Sequence, residues 1–280
     1  MTTIYRTEGG ARRLEQQYRA VLDAWPVEAE HRLVPTREGD TFVSVSGPAE
    51  APPVVLLHGS GANATTWRGD LAAWSAEFRT HAVDLVGEPG LSARSRPVLD
   101  SPAPAAWLDD VLDELGLDHA ALVAMSLGGW HALDYAIRRP ARVDRLALLC
   151  PGGIGRQTYG WLPAAMLLRL FGPWGVRRTA GLVTGLDRQT LGPVLDSIVD
   201  TFAEFRPRTE RLPVFGDQAL GGLAMPTMII VGDRDVMYDS AETARRAEAL
   251  LPNSSVTVLP GVGHAVLGQT EQVLEFLRSR

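Results

Sequence analysis

Residues 122–130 read Leu122-Val123-Ala124-Met125-Ser126-Leu127-Gly128-Gly129-Trp130. The apolar run Ala121–Ala124 has strand character, Ser126 follows it, and a helical pattern starts at Leu127. A serine on a sharp strand-to-helix turn between small residues is the pattern of a nucleophile elbow. Side chains two positions either side of that serine must be small, or they collide. Here they are Ala124 and Gly128; glycine is usual at both places, so Ala124 is a departure. Small-x-Ser-x-small also occurs at plain helix N-termini, so the elbow depends on what else the chain supplies.

A lone serine is a weak nucleophile and needs a base that is itself held by an acid. Gly261-Val262-Gly263-His264 follows a strand-like run, Ser255–Leu259, and presents His264 at a sheet edge. Upstream, Pro226–Val231 reads as a buried strand that ends in Gly232-Asp233-Arg234-Asp235. An aspartate just past a strand's C-terminal end sits where open α/β sheets collect their functional residues. Spacing alone does not choose between Asp233 and Asp235, and Asp239 is a third candidate. Each also reads as a solvated loop residue or as the cap of a helix that begins near Ser240.

Pro53–Leu57 is another buried strand, and it runs into His58-Gly59-Ser60-Gly61. Acyl transfer puts negative charge on a carbonyl oxygen. Two fixed backbone N–H groups stabilise it, and losing one donor costs about 3 kcal/mol. The expected donors are the N–H of Leu127, just after the nucleophile, and that of Ser60 in the loop after His58-Gly59. Glycines let that loop approach a substrate closely. His58 reads as a structural residue that bonds loop carbonyls.

With these residues in view, the chain resembles the α/β-hydrolases, and among them bacterial carboxylesterases of the carboxylesterase NP (naproxen esterase) type. The order serine, aspartate, histidine belongs to that fold family. Further likeness lies in Leu22-Asp23-Ala24-Trp25-Pro26-Val27, Ser46-Gly47-Pro48, Ala82-Val83-Asp84-Leu85-Val86-Gly87 and Val236-Met237-Tyr238-Asp239. It covers most of the chain and is weakest between about 151 and 222. The resemblance implies an α/β-hydrolase fold: a mostly parallel central sheet flanked by helices, with an inserted helical cap. It selects Asp235 as the acid. It also implies a serine esterase that acts on small-molecule carboxylic esters without a cofactor.

Composition narrows the alternatives. The 280 residues suit one α/β core, 1–150 with 223–280, and a cap at 151–222. A net charge of −6 argues against a nucleic-acid partner. All 27 basic residues are arginine, which removes Schiff-base, PLP-lysine, Ser-Lys and Walker-loop chemistry. The single cysteine, Cys150, forms no internal disulfide and reads as a small buried side chain, with a catalytic thiol as the alternative. Residues 1–10 lack a basic region followed by an apolar run, so no signal peptide and a cytoplasmic location are expected. The histidines at 31, 58, 81, 119, 131 and 264 lack metal-ligand spacing, so no metal is expected.

Along the chain, the pattern predicts a helix over 9–24, strands at 41–46 and 53–57, a helix at 66–77 and a strand at 82–85. A Gly/Pro/Arg/Ser loop follows at 87–96, and Gly87-Glu88-Pro89-Gly90 reads as a plain loop or a pocket rim. Helices are expected at 103–116 and 127–138, the second ended by Pro140. His131, inside it, reads as structural. From Pro151 the β-type runs disappear, and helical patterns continue near 161–171, 176–184 and 189–204. Trp161, Met166, Leu170 and Trp174 are candidates for lining an acyl or alcohol pocket, with ordinary cap core as the alternative. The run 161–176 is too short for a membrane span and contains Arg169 and a Gly-Pro break.

The expected chemistry is two-step acyl transfer by Ser126, His264 and Asp235. The same residues also suit a lactonase, a C–C bond hydrolase, a perhydrolase or a natural-product acyltransferase or cyclase. A non-enzymatic ligand-binding protein can retain them too. Haloalkane dehalogenases and epoxide hydrolases need a carboxylate where this chain has Ser126.

Overall fold

The computed structural model describes residues 4–186 and 188–279. Eight strands form one sheet: β1 (Ala29–Val34), β2 (Thr41–Ser46), β3 (Pro53–Leu57), β4 (Arg79–Val83), β5 (Ala120–Met125), β6 (Val143–Leu149), β7 (Thr227–Gly232) and β8 (Ser254–Leu259). Their spatial order is β1-β2-β4-β3-β5-β6-β7-β8. β1 and β2 pair antiparallel, as do β2 and β4; every other neighbour is parallel. The mostly parallel sheet flanked by helices is the expected architecture.

Strand alternation builds two cores, because successive side chains leave a strand on opposite faces. Val55, Leu57, Leu122, Ala124, Leu146, Leu148 and Ile229 point to one face. It is covered by α3 (Ala103–Glu114), α4 (Leu127–Arg138) and, further along, α9 (Ser240–Leu250). Val54, Leu56, Val123, Ala147, Met228 and Ile230 point to the other. There α1 (Glu8–Asp23), α2 (Leu71–Trp74) and α10 (Thr270–Arg278) supply Tyr18, Leu22, Trp74, Val273 and Leu277. Central strands buried on both faces read as unbroken apolar runs, which is why β3, β5 and β7 are visible in the sequence.

Three elements differ from expectation. β1 is an extra edge strand, hidden because Glu30, His31 and Arg32 break any apolar pattern. Such charge on an edge also deters pairing with other chains. The helix expected at 66–77 is a 3₁₀ turn, Ala64–Trp67, followed by the one-turn α2, with Gly69 and Asp70 between them. β4 ends at Val83 because Asp84 is turned to accept hydrogen bonds from the Tyr18 hydroxyl (3.0 Å) and from the N–H groups of Ala64 (2.8 Å) and Leu91 (2.9 Å).

Between β6 and β7 lie α5 (Leu162–Arg169), α6 (Gly172–Thr184), α7 (Arg188–Glu204) and the short α8 (Asp217–Gly221). Phe215 stacks on Trp130 of α4 at 5.5 Å, and the Trp130 indole donates to the Pro213 carbonyl. This inserted segment is thereby fixed to the helix behind the elbow. Among the described residues, no helix is long and apolar enough to cross a membrane.

Candidate active site

Ser126 joins β5 to α4 with φ 53° and ψ −112°. L-residues rarely adopt that conformation, which costs about 1–3 kcal/mol and persists only where the surroundings over-determine it. They do so here. The Ser126 N–H donates to the Leu149 carbonyl (3.0 Å), and its own carbonyl accepts from Trp130 (3.1 Å) and Gly152 (3.0 Å). The need for a small residue two positions later has a specific cause. A Cβ on Gly128 would lie 2.2 Å from the Leu57 carbonyl oxygen and 2.5 Å from that of His58. Helix α4 therefore packs directly on the loop that leaves β3.

The structure brings Ser126, His264 and Asp235 into one line. His264 Nε2 lies 2.9 Å from Ser126 Oγ, and Nδ1 lies 2.8 Å from Asp235 Oδ2. The Asp235 side chain is 1% exposed. Its second oxygen accepts from the N–H groups of Met237 (2.7 Å) and Tyr238 (3.1 Å), which hold the carboxylate toward the ring. The other two aspartates have other partners. Asp233 accepts from the Gly261 N–H at 2.6 Å and ties down the loop before His264. Asp239 caps α9 through the Glu242 N–H and pairs with Arg156.

The loop after β3 passes beside the serine: a Cβ on Gly59 would lie 3.3 Å from Ser126 Cβ. Among the described residues, the backbone N–H groups of Ser60 and Leu127 donate to no other protein group. His58 is fully buried beneath this loop. The Leu85 N–H donates to its Nε2 (2.9 Å), which leaves the proton on Nδ1 to donate to the Gly59 carbonyl (2.8 Å). Burial lowers its pKa to about 4, so the ring is a neutral strut between the ends of β3 and β4. His131 is likewise buried, between Trp107 and Trp130, with its pKa pushed down to about 3. Cys150 is buried, and burial raises its thiol pKa, which keeps the weakly nucleophilic protonated form.

Two residues at the site had no assigned role in the sequence analysis. Glu88, 1% exposed, accepts through Oε2 from the Ser60 hydroxyl (3.0 Å) and the Gly61 N–H (2.7 Å). Burial pushes its carboxyl up to about 7, against the pull of those two donors. The Gly87-Glu88-Pro89-Gly90 stretch looks like an ordinary loop, and a lone acidic residue in it was the one available signal. Tyr238 lies under the site, its ring centroid 5.2 Å from that of His264. Burial raises its phenol pKa.

The candidate pocket residues differ in exposure. Met166 is 73% exposed, Leu170 80% and Trp174 56%, and Trp161 is half-buried on the same hairpin. Met166, Leu170 and Trp174 face solvent, whereas the Trp161 indole nitrogen is enclosed without a hydrogen-bond partner among the described residues. The inserted segment approaches the site through other side chains. A Cβ on Gly61 would meet the Phe202 ring at 2.4 Å, and one on Gly152 would meet Leu212 at 2.7 Å and the Tyr238 hydroxyl at 3.1 Å.

Residues 54–276 match the model of the alpha/beta hydrolase family. Carboxylesterase YbfK of Bacillus subtilis is 34% identical over 280 residues, which covers 95% of this chain and 93% of that protein. The crystal structure of the same esterase superposes with a TM-score of 0.85, at 31% identity over 96% of this chain and 99% of that one. The crystal structure of naproxen esterase (carboxylesterase NP) from B. subtilis gives a TM-score of 0.84, at 28% identity over 98% and 100% of the two chains.

Proposed function

The chain belongs to the alpha/beta hydrolase family, and we propose that it is a serine carboxylesterase whose reaction runs through Ser126, His264 and Asp235. The hydrogen-bonded line from Ser126 Oγ through His264 to Asp235 carries this reading. Its esterase relatives, YbfK and naproxen esterase, support the choice of bond.

In this mechanism Ser126 Oγ attacks the ester carbonyl carbon as His264 Nε2 takes its proton. Asp235 keeps the other ring proton on Nδ1 and stabilises the imidazolium. The carbonyl oxygen becomes an oxyanion held by the N–H groups of Ser60 and Leu127. Collapse of the tetrahedral intermediate breaks the C–O bond, and His264 returns its proton to the departing alcohol. Water, deprotonated by His264, then attacks the acyl-enzyme and frees the acid and Ser126. Glu88 acts as a positioning residue, since its carboxylate fastens Ser60 and Gly61 of the oxyanion loop. Residues 151–222 form the cap in this reading, with Phe202 packed on Gly61 of the oxyanion loop and Leu212 beside Gly152.

The test is initial-rate hydrolysis of p-nitrophenyl esters from acetate to decanoate, with Ser126→Ala purified in parallel. We expect turnover that falls at least about 10³-fold in the variant. Labelling of Ser126 by a fluorophosphonate without ester turnover would favour a ligand-binding role. Neither labelling nor turnover would remove Ser126 as nucleophile.

A further inference from the structure

We propose that the α5–α6 hairpin is a docking surface for an anionic lipid interface. Helix α5 is eight residues long and buries none of them. A helix that short has little stability of its own in water and depends on packing of its apolar face. Its larger apolar residues instead face solvent, Leu168 excepted. Leu162, Met166 and Leu170 follow one i, i+4 ridge with Leu167 beside them, and Phe171 and Trp174 flank the start of α6 at Gly172. Leu167 is 61% exposed and Phe171 60%, in line with the values for Met166, Leu170 and Trp174. Exposed apolar side chains gathered on one hairpin mark an interaction site.

The hairpin presents this surface as a formed unit. Gly175 lies against the Leu168 carbonyl so closely that a Cβ there would come within 1.6 Å of the oxygen. Phe171 and Trp174 meet edge-to-face at 6.0 Å.

Charge identifies the partner. The whole chain carries a net −6, yet residues 160–184 contain Arg169, Arg177 and Arg178 and no carboxylate. Arg177 pairs with Asp196 of α7. Arg169 and Arg178 are exposed and have no carboxylate partner among the described residues. The Arg178 guanidinium lies 5.4 Å from the Trp174 ring centroid, at the edge of the patch. A two-fold contact between copies of this hairpin would bring two sets of these cations into one interface, with no acid in the segment to neutralise them. An anionic lipid surface supplies an apolar layer for Leu, Met, Phe and Trp and negative headgroups for arginine.

The surface is separate from the reacting groups. Trp174 lies ten residues before Thr184, about 15 Å along α6. At that far end, the Ala265 N–H beside His264 donates to the Thr184 carbonyl (2.9 Å).

The test is flotation of the full-length protein with vesicles of phosphatidylcholine containing about 30 mol % phosphatidylglycerol, against phosphatidylcholine alone. Wild type should float with the anionic vesicles, at least tenfold less with neutral ones, and release in high salt. Leu167→Ser with Phe171→Ser should cut recovery at least tenfold while leaving the thermal midpoint in place. Arg169→Glu with Arg178→Glu should remove the preference for anionic vesicles, and it tests the idea even where the apolar variant fails to fold. No flotation by wild type, or flotation unchanged in both variants, would overturn the proposal. Self-association in light scattering that the Leu167→Ser, Phe171→Ser variant abolishes, without vesicle binding, would overturn it in favour of a second copy.

Discussion

The buried carboxylate of Glu88 holds the hydroxyl of Ser60 at 3.0 Å and, through the same oxygen, the Gly61 N–H at 2.7 Å. Its other oxygen is enclosed without a hydrogen-bond partner among the described residues. A carboxylate so placed fixes the loop proposed to bind the oxyanion, at an electrostatic cost that burial makes large.

Removing that anchor should be felt in turnover more than in substrate binding. Glu88→Ala should lower kcat at least tenfold with KM changed little, because the loop N–H is needed most when charge develops. Glu88→Gln keeps an acceptor oxygen and should restore kcat to within a few-fold of wild type. Steady-state kinetics on one soluble ester checks both; an alanine variant that folds and turns over normally would remove Glu88 from this role.

Glu88 also predicts a pH dependence of stability. Its pKa is raised from 4.5 to about 7 by burial. Between those values the folded state holds a proton that the unfolded chain has lost, so stability falls as pH rises through the window. The full contribution reaches about 3 kcal/mol above pH 7. Denaturant unfolding of wild type and Glu88→Gln at pH 5 and pH 8 should show the variant gaining relative stability at pH 8.

His81 should give the opposite slope. It sits in β4, 4% exposed, with neither ring nitrogen hydrogen-bonded among the described residues. Burial, aided by Arg79 and Arg32, lowers its pKa to about 4. Below 6.5 the unfolded chain takes a proton that the fold refuses until about pH 4, so stability is lost as pH falls through that range. The loss is about 2 kcal/mol at pH 5. His81→Leu removes it and replaces an unpaired polar ring with an apolar side chain, so its unfolding free energy should exceed that of wild type most clearly at pH 5.

The two aspartates after β7 should separate cleanly. Asp235→Asn alters the group that faces His264 Nδ1 and should cost at least about 10³-fold in kcat. Asp233→Asn weakens the bond to the Gly261 N–H and should cost far less. Kinetics of both variants on the same ester decides the matter, and the reverse ranking would move the acid to Asp233.

Gly128→Ala tests the packing of the elbow. The new Cβ would meet backbone oxygens of Leu57 and His58, which have no free end to swing aside. We expect a loss of about 1–3 kcal/mol in stability together with reduced turnover, since the same contact sets the distance between α4 and the oxyanion loop. A variant with wild-type stability would show that α4 can slide along the sheet.

The sequence by itself determined what short-range rules control. Unbroken apolar runs mark the central strands β3, β5 and β7, because both faces of those strands are covered. Small residues around Ser126 mark the elbow, because a tight turn leaves no room for others. The charged edge strand β1 escaped, since its pattern serves solubility rather than burial. Tertiary structure alone decided which groups meet. Ser126 and His264 lie 138 positions apart and His264 and Asp235 29 apart, and only the side-by-side placement of β5 to β8 in one sheet brings them within hydrogen-bond distance. The choice of Asp235 over Asp233 by position turns on two backbone N–H groups that aim one carboxylate and not the other. Glu88 looked like a loop residue because nothing local shows that its loop folds under Ser60. Met166, Leu170 and Trp174 are exposed although apolar composition promises burial, because the direction in which a helix faces is set by the elements packed against it.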